Sequence, residues 1–163
     1  MIHRPHVDWF ALAPVNTLLL AAGLALLTAV LVPRKARRPV GASLCALGYA
    51  AGFGFAIAVY VRSAHGTGVI ADAIRRDRWA ALAQIIVAGA GLVATGISYR
   101  ERSRDDHVGE YYALLAAAGG GMAFFVSANN LMTLFLGLEW LSIALYILCA
   151  IDRDLLGGLE AGL

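Results

Sequence analysis

Long apolar runs alternate along this chain with short connectors that hold most of its charge. Inside the runs the apolar residues do not keep to one helical stripe, as they would in an amphipathic helix of a soluble domain, but occupy every face. About 20 residues at a rise of 1.5 Å cross a hydrocarbon core of about 30 Å. On that measure five membrane spans are expected, at residues 9–32, 40–61, 79–99, 111–128 and 131–151. The fourth has the shortest uninterrupted apolar stretch, and Gly119, Gly120 and Gly121 lower its helix propensity. It is still read as a span. The pattern predicts an all-α fold, a polytopic membrane helix bundle in a single transmembrane domain.

Composition agrees, with 60% hydrophobic residues among 163. The formal net charge is only +2 and the basic residues sit in short connectors, which leaves no extended basic surface for a nucleic acid. Arg4 precedes the first apolar run, as in a secretory signal. That run is too long for a signal core, however, and it leads into "VPRKARRP" rather than a small-residue cleavage site.

Charge in the connectors sets the expected orientation. Arg34, Lys35, Arg37 and Arg38 follow the first run, Arg100, Arg102 and Arg104 the third, and Arg153 the fifth, which assigns those ends to the cytoplasm. Ala36 and Asp105 are thereby expected on the cytoplasmic side, with Gly68 and Asn129 opposite. Arg4, Arg62, Arg75, Arg76 and Arg78 oppose the bias from the other side. The run "RKARR" could also meet anionic lipid headgroups, although a topology signal explains it equally well.

Most of the residues that could carry chemistry have plainer explanations. Cys45 and Cys149 lie on different runs, without a second ligand at metal spacing, and are read as packing residues. No metal site and no iron–sulfur ligation is expected. His3 and His6 fall near the terminus, and His65 and His107 in connectors. The "GGG" of residues 119–121 lacks the strand and helix context of a phosphate loop. Close helix packing accounts for the glycines better: Gly48 and Gly52 make a small-residue face, and Gly89, Gly91 and Gly96 thin the third span.

Glu139 is the exception. It stands near the middle of "LMTLFLGLEWLSIALYILCAI", where a carboxylate costs about 2.5 to 3.5 kcal/mol on insertion scales. It must be paired, face a polar cavity, or hold a proton. Ser142 and Tyr146, three and seven residues on, share its helical face, so a carboxyl, a hydroxyl and a phenol line one narrow stripe between Phe135 and Ile143. Such a stripe suits proton transfer through a few ordered waters. The plainer alternative is a neutral acid that hydrogen-bonds a neighbouring helix and specifies packing.

The stretch "GEYYALLAAAGGGMAFFVSANNLMTLFLGLEWLSIALYILCAIDRD", and within it "SANNLMTLFLGLE" followed by "LSIALYIL", resembles the fourth and fifth helices of subunit N of proton-pumping NADH:quinone oxidoreductase, respiratory complex I. Subunits L and M and the Mrp-type cation/proton antiporters also place a glutamate in the fifth helix, but in different surroundings. The first hundred residues match only in hydropathy and in the basic first connector. The resemblance implies that Glu139 pairs with a lysine of the seventh helix and passes protons along a hydrated axis, driven by redox energy released elsewhere in the complex. It implies no cofactor on this chain, with NADH, FMN, iron–sulfur clusters and quinone in the wider complex. The implied partners are other membrane subunits of complex I and the lipid bilayer, and the implied location is the cell inner (plasma) membrane, as a multi-pass protein.

Two departures limit what is carried over. Pro14 is followed by Val15 where the family would place an acidic residue in the first helix. The family has about fourteen helices and continues past "GLEAGL" into a lysine-bearing sixth, so this chain is expected to be an N-terminal fragment. The lysine it does contain, Lys35, lies in a connector. The alternatives are a cation/proton antiporter subunit of the same superfamily and a noncatalytic membrane scaffold.

Overall fold

A computed structural model describes residues 7–63, 66–69, 72–101 and 107–151. Readings that fall on Arg4, His3, His6, His65, Arg102, Arg104, Asp105 and Arg153 lie outside those residues. The described chain forms five helices, α1 (Ala13–Leu31), α2 (Arg34–Arg62), α3 (Arg78–Glu101), α4 (Val108–Phe125) and α5 (Leu131–Cys149). Between α2 and α3 lies a small antiparallel hairpin, β1 (Thr67–Val69) and β2 (Ile74–Arg76), with Gly68 opposite Arg75 and Val69 opposite Ile74. The bundle is thus helical as expected, with one short strand pair at an end.

Helix boundaries differ from the expected spans for local reasons. The basic residues that look like a connector form the first turns of α2, because Arg and Lys are good helix formers. Pro39 is tolerated there, so close to the helix start that its missing N–H removes only one early hydrogen bond. Only Val32 and Pro33 then separate α1 from α2. At the start of α1, Pro14 occupies the first turn, where a missing donor costs nothing.

Small residues set the packing. A Cβ added at Gly48 of α2 would overlap the Ala21 methyl of α1, and one at Gly109 of α4 would come within 2.8 Å of the Ala29 methyl. Gly52 faces Thr17 and the Pro14 carbonyl across the same α1–α2 seam. The small-residue face read from Gly48 and Gly52 is therefore turned into the bundle. On α3 the expectation holds in part: Gly91 meets the Tyr49 ring and Gly89 lies near Phe53, whereas Gly96 has open space where a side chain would begin.

Tyr49 and Tyr112 are the largest side chains of this interior, and Tyr49 is 2% exposed. Its ring fills a slot that exists because Gly91 on α3 and Gly119 on α4 carry no side chain. Its hydroxyl donates to the Leu115 carbonyl at 2.6 Å, which the bare backbone at Gly119 leaves within reach. One aromatic side chain so joins three helices. Elsewhere in the interior Cys45 lies 3.5 Å from Thr95 Oγ1 and is fully buried, in keeping with a packing role. Cys149 does not share that role: it is exposed on α5, on a face that no other described helix covers.

Among the described residues four helices, α1, α2, α3 and α5, are long and apolar enough to cross a membrane. The fourth is set apart by its surroundings. α4 packs against each of the other four helices, and Tyr112, Ala116 and Ala118 on it are essentially inaccessible. A helix wrapped in protein does not need lipid-facing leucines, so its glycines and alanines serve close approach instead.

Two outcomes check this architecture. Gly48→Leu should lower the yield of folded protein sharply, since overpacking costs about 1–3 kcal/mol; Gly54→Leu, where nothing lies within 4 Å, should not. Equal yields by size-exclusion chromatography would refute the seam. With Cys45 and Cys149 replaced, a cysteine at Ala36 and one at Arg75 should react from opposite sides of sealed vesicles. Labelling of both from one side would mean that α2 does not cross.

Candidate functional site

α5 is fixed at its N-terminal end by a chain of polar contacts. Asn130 caps the helix, its side-chain oxygen accepting the Thr133 N–H at 2.8 Å. Just before it, the hairpin docks on the α4–α5 connector: Arg75 N–H donates to the Ser127 carbonyl at 2.8 Å, and Asn129 N–H to the Ala73 carbonyl at 3.0 Å. Asp72 turns the hairpin with φ 59°, a left-handed conformation that Asp tolerates better than most residues. These contacts put the Ser63–Arg78 connector and the "SANN" connector at the same end of the bundle, as the span count requires.

The hairpin is held in turn by a clamp that spans the fold. Arg76 donates to Asp8 Oδ2 at 2.7 Å and to Ser63 Oγ at 3.0 Å, and its guanidinium lies 5.8 Å from the centre of the Phe10 ring. Asp8 Oδ1 meanwhile accepts the backbone N–H groups of Phe10 and Ala11. Arg75 pairs with Asp77 at 3.2 Å. Two of the basic residues that oppose the orientation bias are therefore neutralised where they stand. Nothing in the spacing of Asp8 and Arg76 announces this pairing, which sequence reasoning missed.

Along α5 the two sides differ. Thr133, Gly137 and Ala144 are buried against α4. Gly137 approaches so closely that an added Cβ would lie 2.8 Å from Phe125 Cα, and Leu141 N would be 3.0 Å from a Cβ at Gly121. Trp140 stacks at a tilt on Phe124, ring centres 5.9 Å apart. Glu139 points the other way. At 3.6 residues per turn it stands nearly opposite Gly137 and Ala144, with Ser142 and Tyr146 on its own side.

Glu139 is exposed, Ser142 is partly buried and Tyr146 is 59% exposed. The reason is that α5 packs on one face only, against α4, so its far side has no protein cover among the described residues. No hydrogen bond or ion pair reaches Glu139 among those residues either. That side is otherwise apolar, with Phe135, Leu136, Leu138 and Ile143 exposed around the carboxyl. The structure thus places the three residues on one stripe, but on the outside of this bundle.

A second polar residue within an apolar segment was overlooked in the sequence. Gln84 of α3 is 4% exposed and donates from Nε2 to the Ala123 carbonyl of α4 at 3.0 Å. A lone amide in an apolar run could have signalled such a bond. It ties α3 to α4 and does not reach the Glu139 face.

Helices of this length and character, packed through glycine and presenting one carboxyl on an apolar face, define a multi-pass membrane protein. No family model matches the chain. It is similar to NADH-quinone oxidoreductase subunit N of Beutenbergia cavernae, with 31% identity over 92% of this chain and 34% of the relative. Subunit N of Salinispora arenicola shows 33% identity over 91% of this chain and 33% of its own length. A shorter match, 43% identical over 53% of this chain, is to subunit N of Paramagnetospirillum magneticum. Over about nine tenths of its length the chain is similar to NADH-quinone oxidoreductase subunit N proteins, and it spans about a third of the length of the first two relatives.

The clamp that positions α5 yields a pH dependence. Burial alone would raise the Asp8 carboxyl, but the Ala11 and Phe10 N–H groups and the Arg76 guanidinium outweigh it and hold it below the ordinary value of 3.8. A carboxyl lowered by folding stabilises the folded state above its unfolded value, and that contribution is lost as pH falls through the folded one. Hairpin protection should therefore be constant from pH 7 to about 5 and decline only in acid below about 4. Asp8→Asn should weaken it already at pH 7 and flatten the acid response. Amide exchange at Arg75 and Asn129 reads this directly; unchanged exchange in Asp8→Asn would remove the clamp.

Proposed function

We propose that this chain acts as a membrane subunit of an NADH-quinone oxidoreductase, in the cell inner (plasma) membrane, with Glu139 as a group that accepts and releases protons. The names of its relatives support the assignment to the complex. The observation that carries the role of Glu139 is its place: a carboxyl midway along an apolar membrane helix, on the side that this bundle leaves uncovered. A carboxyl whose task was to hold α5 on α4 would face α4. Glu139 faces away from it, toward whatever packs on α5 next.

Physical cost then dictates what the neighbour must supply. An ionised carboxyl at that depth is stable only beside a cation or in a hydrated cavity. Lys35 does not meet the need, since it begins α2 at the opposite end of the bundle from the hairpin. A basic side chain from another segment or subunit would hold Glu139 ionised when near and let it take a proton when withdrawn or neutralised. Ser142 and Tyr146, on the same side, can donate and accept hydrogen bonds to waters along that line. Redox chemistry belongs, in this reading, to other subunits that carry NADH, FMN, iron–sulfur clusters and quinone. The described residues of this chain offer no group of three or more His, Cys, Asp or Glu side chains that could hold a metal.

Glu139→Gln keeps size and hydrogen-bonding capacity but cannot ionise. In inverted vesicles, normalised to assembled complex, it should leave assembly intact and remove most acidification, while Glu139→Asp retains more. Full proton pumping by Glu139→Gln at normal abundance would reject the proton role and favour the scaffold. Sodium-dependent rather than quinone-dependent proton movement would favour an antiporter.

A further inference from the structure

At the end of the bundle opposite the hairpin, α2 and α3 line an open groove of about 330 Å³. Its walls are Pro39, Ala42, Ser43 and Ala46 on one side and Gly96 and Tyr99 on the other. Small residues do not close it: Gly96 has nothing within 4 Å of where a Cβ would stand, and Ser43 is exposed. The surface around it is apolar, with Leu47, Val93 and Ile97 more than half exposed. In a membrane protein such a surface meets acyl chains, and a groove cut into it admits one of them.

The mouth of the groove is basic. Helical spacing carries the α2 wall back from Pro39 and Ala42 to Lys35 and Arg38, and the α3 wall on from Gly96 to Arg100. Arg38 is fixed there, its guanidinium 4.9 Å from the Tyr99 ring centre and donating to the Tyr99 carbonyl. Lys35 and Arg100 are exposed. From Pro39 to Ala46 the groove runs about 11 Å along the helix, roughly a third of a hydrocarbon core. Positive charge thus stands where a headgroup would sit, and apolar surface where the upper part of its chain would lie.

We propose that the groove between α2 and α3 binds one anionic phospholipid, with an acyl chain against Ala42, Ala46 and Gly96 and its phosphate among Lys35, Arg38 and Arg100. A zwitterionic lipid brings its own cation to that cluster and is bound less well. The site is independent of proton transfer at Glu139, which lies on a different helix and face.

The test is lipid retention by the full chain, reconstituted in nanodiscs of equal phosphatidylglycerol and phosphatidylcholine and read by native mass spectrometry. One phosphatidylglycerol per chain should be retained in preference to phosphatidylcholine. Gly96→Leu and Ser43→Leu, each filling the groove from an exposed position, should lower retention about tenfold or more. Lys35→Gln with Arg100→Gln should cost roughly 30-fold, at about 1 kcal/mol for each basic residue near an anionic headgroup. Helical circular dichroism, unchanged in all of them, separates loss of the site from loss of the fold. Equal retention of the two lipids, wild-type retention by both groove-filling variants, or displacement by inorganic phosphate alone would each overturn the proposal.

Discussion

The contact on which the bundle turns is the Tyr49 ring in its slot between Gly91 and Gly119. In lipid there is no hydrophobic gain from bringing apolar helices together, since acyl chains are as apolar as leucine. Association depends on fit and on hydrogen bonds. Tyr49 supplies both: a large ring in close contact with two bare backbones, and a hydroxyl that donates to the Leu115 carbonyl. A Cβ at either glycine would occupy the space of the ring. The same logic recurs where Gly48 meets Ala21, Gly109 meets Ala29 and Gly137 meets Phe125.

This mode of packing determines which helix sits where. α4 gathers glycine and alanine and packs against the other four helices, so its small residues let backbones approach closely without exposing them to lipid. Among the described residues α5 packs chiefly against α4, through Thr133, Gly137 and Ala144, and presents the rest of its circumference outward. The carboxyl of Glu139 is on that outward side. Its exposure follows from one-sided packing of α5. The proposed proton role needs just such a side, open to a group the bundle itself does not provide.

Polar contacts, few within the bundle, concentrate at its ends. At one end Asp8, Arg76 and Ser63 clamp the hairpin, which in turn fixes the connector before α5. At the other, Arg38 rests on Tyr99 beside a groove that small residues leave open. Charges placed at the two interfaces cost little, because water and headgroups solvate them there. The single charge-bearing side chain in the middle of α5 stands out against that background.

Sequence alone determined the helical class and the position of the helices, because runs apolar on every face have no stable place in water. It also singled out Glu139, since a lone carboxyl in such a run is costly wherever the helix lies. It marked Gly48 and Gly52 as packing residues by their spacing. It did not show that Gly96 faces open space while Gly91 holds Tyr49, because the two glycines are alike until a neighbour is placed against one of them. Nor did it reveal the hairpin or the Asp8–Arg76 pair, whose partners lie 68 residues apart and meet only when α1, α2 and α3 are assembled. Tertiary structure alone decided that Glu139 faces outward and Cys149 is exposed, since burial belongs to the neighbours of a residue and the described residues pack on one side of α5.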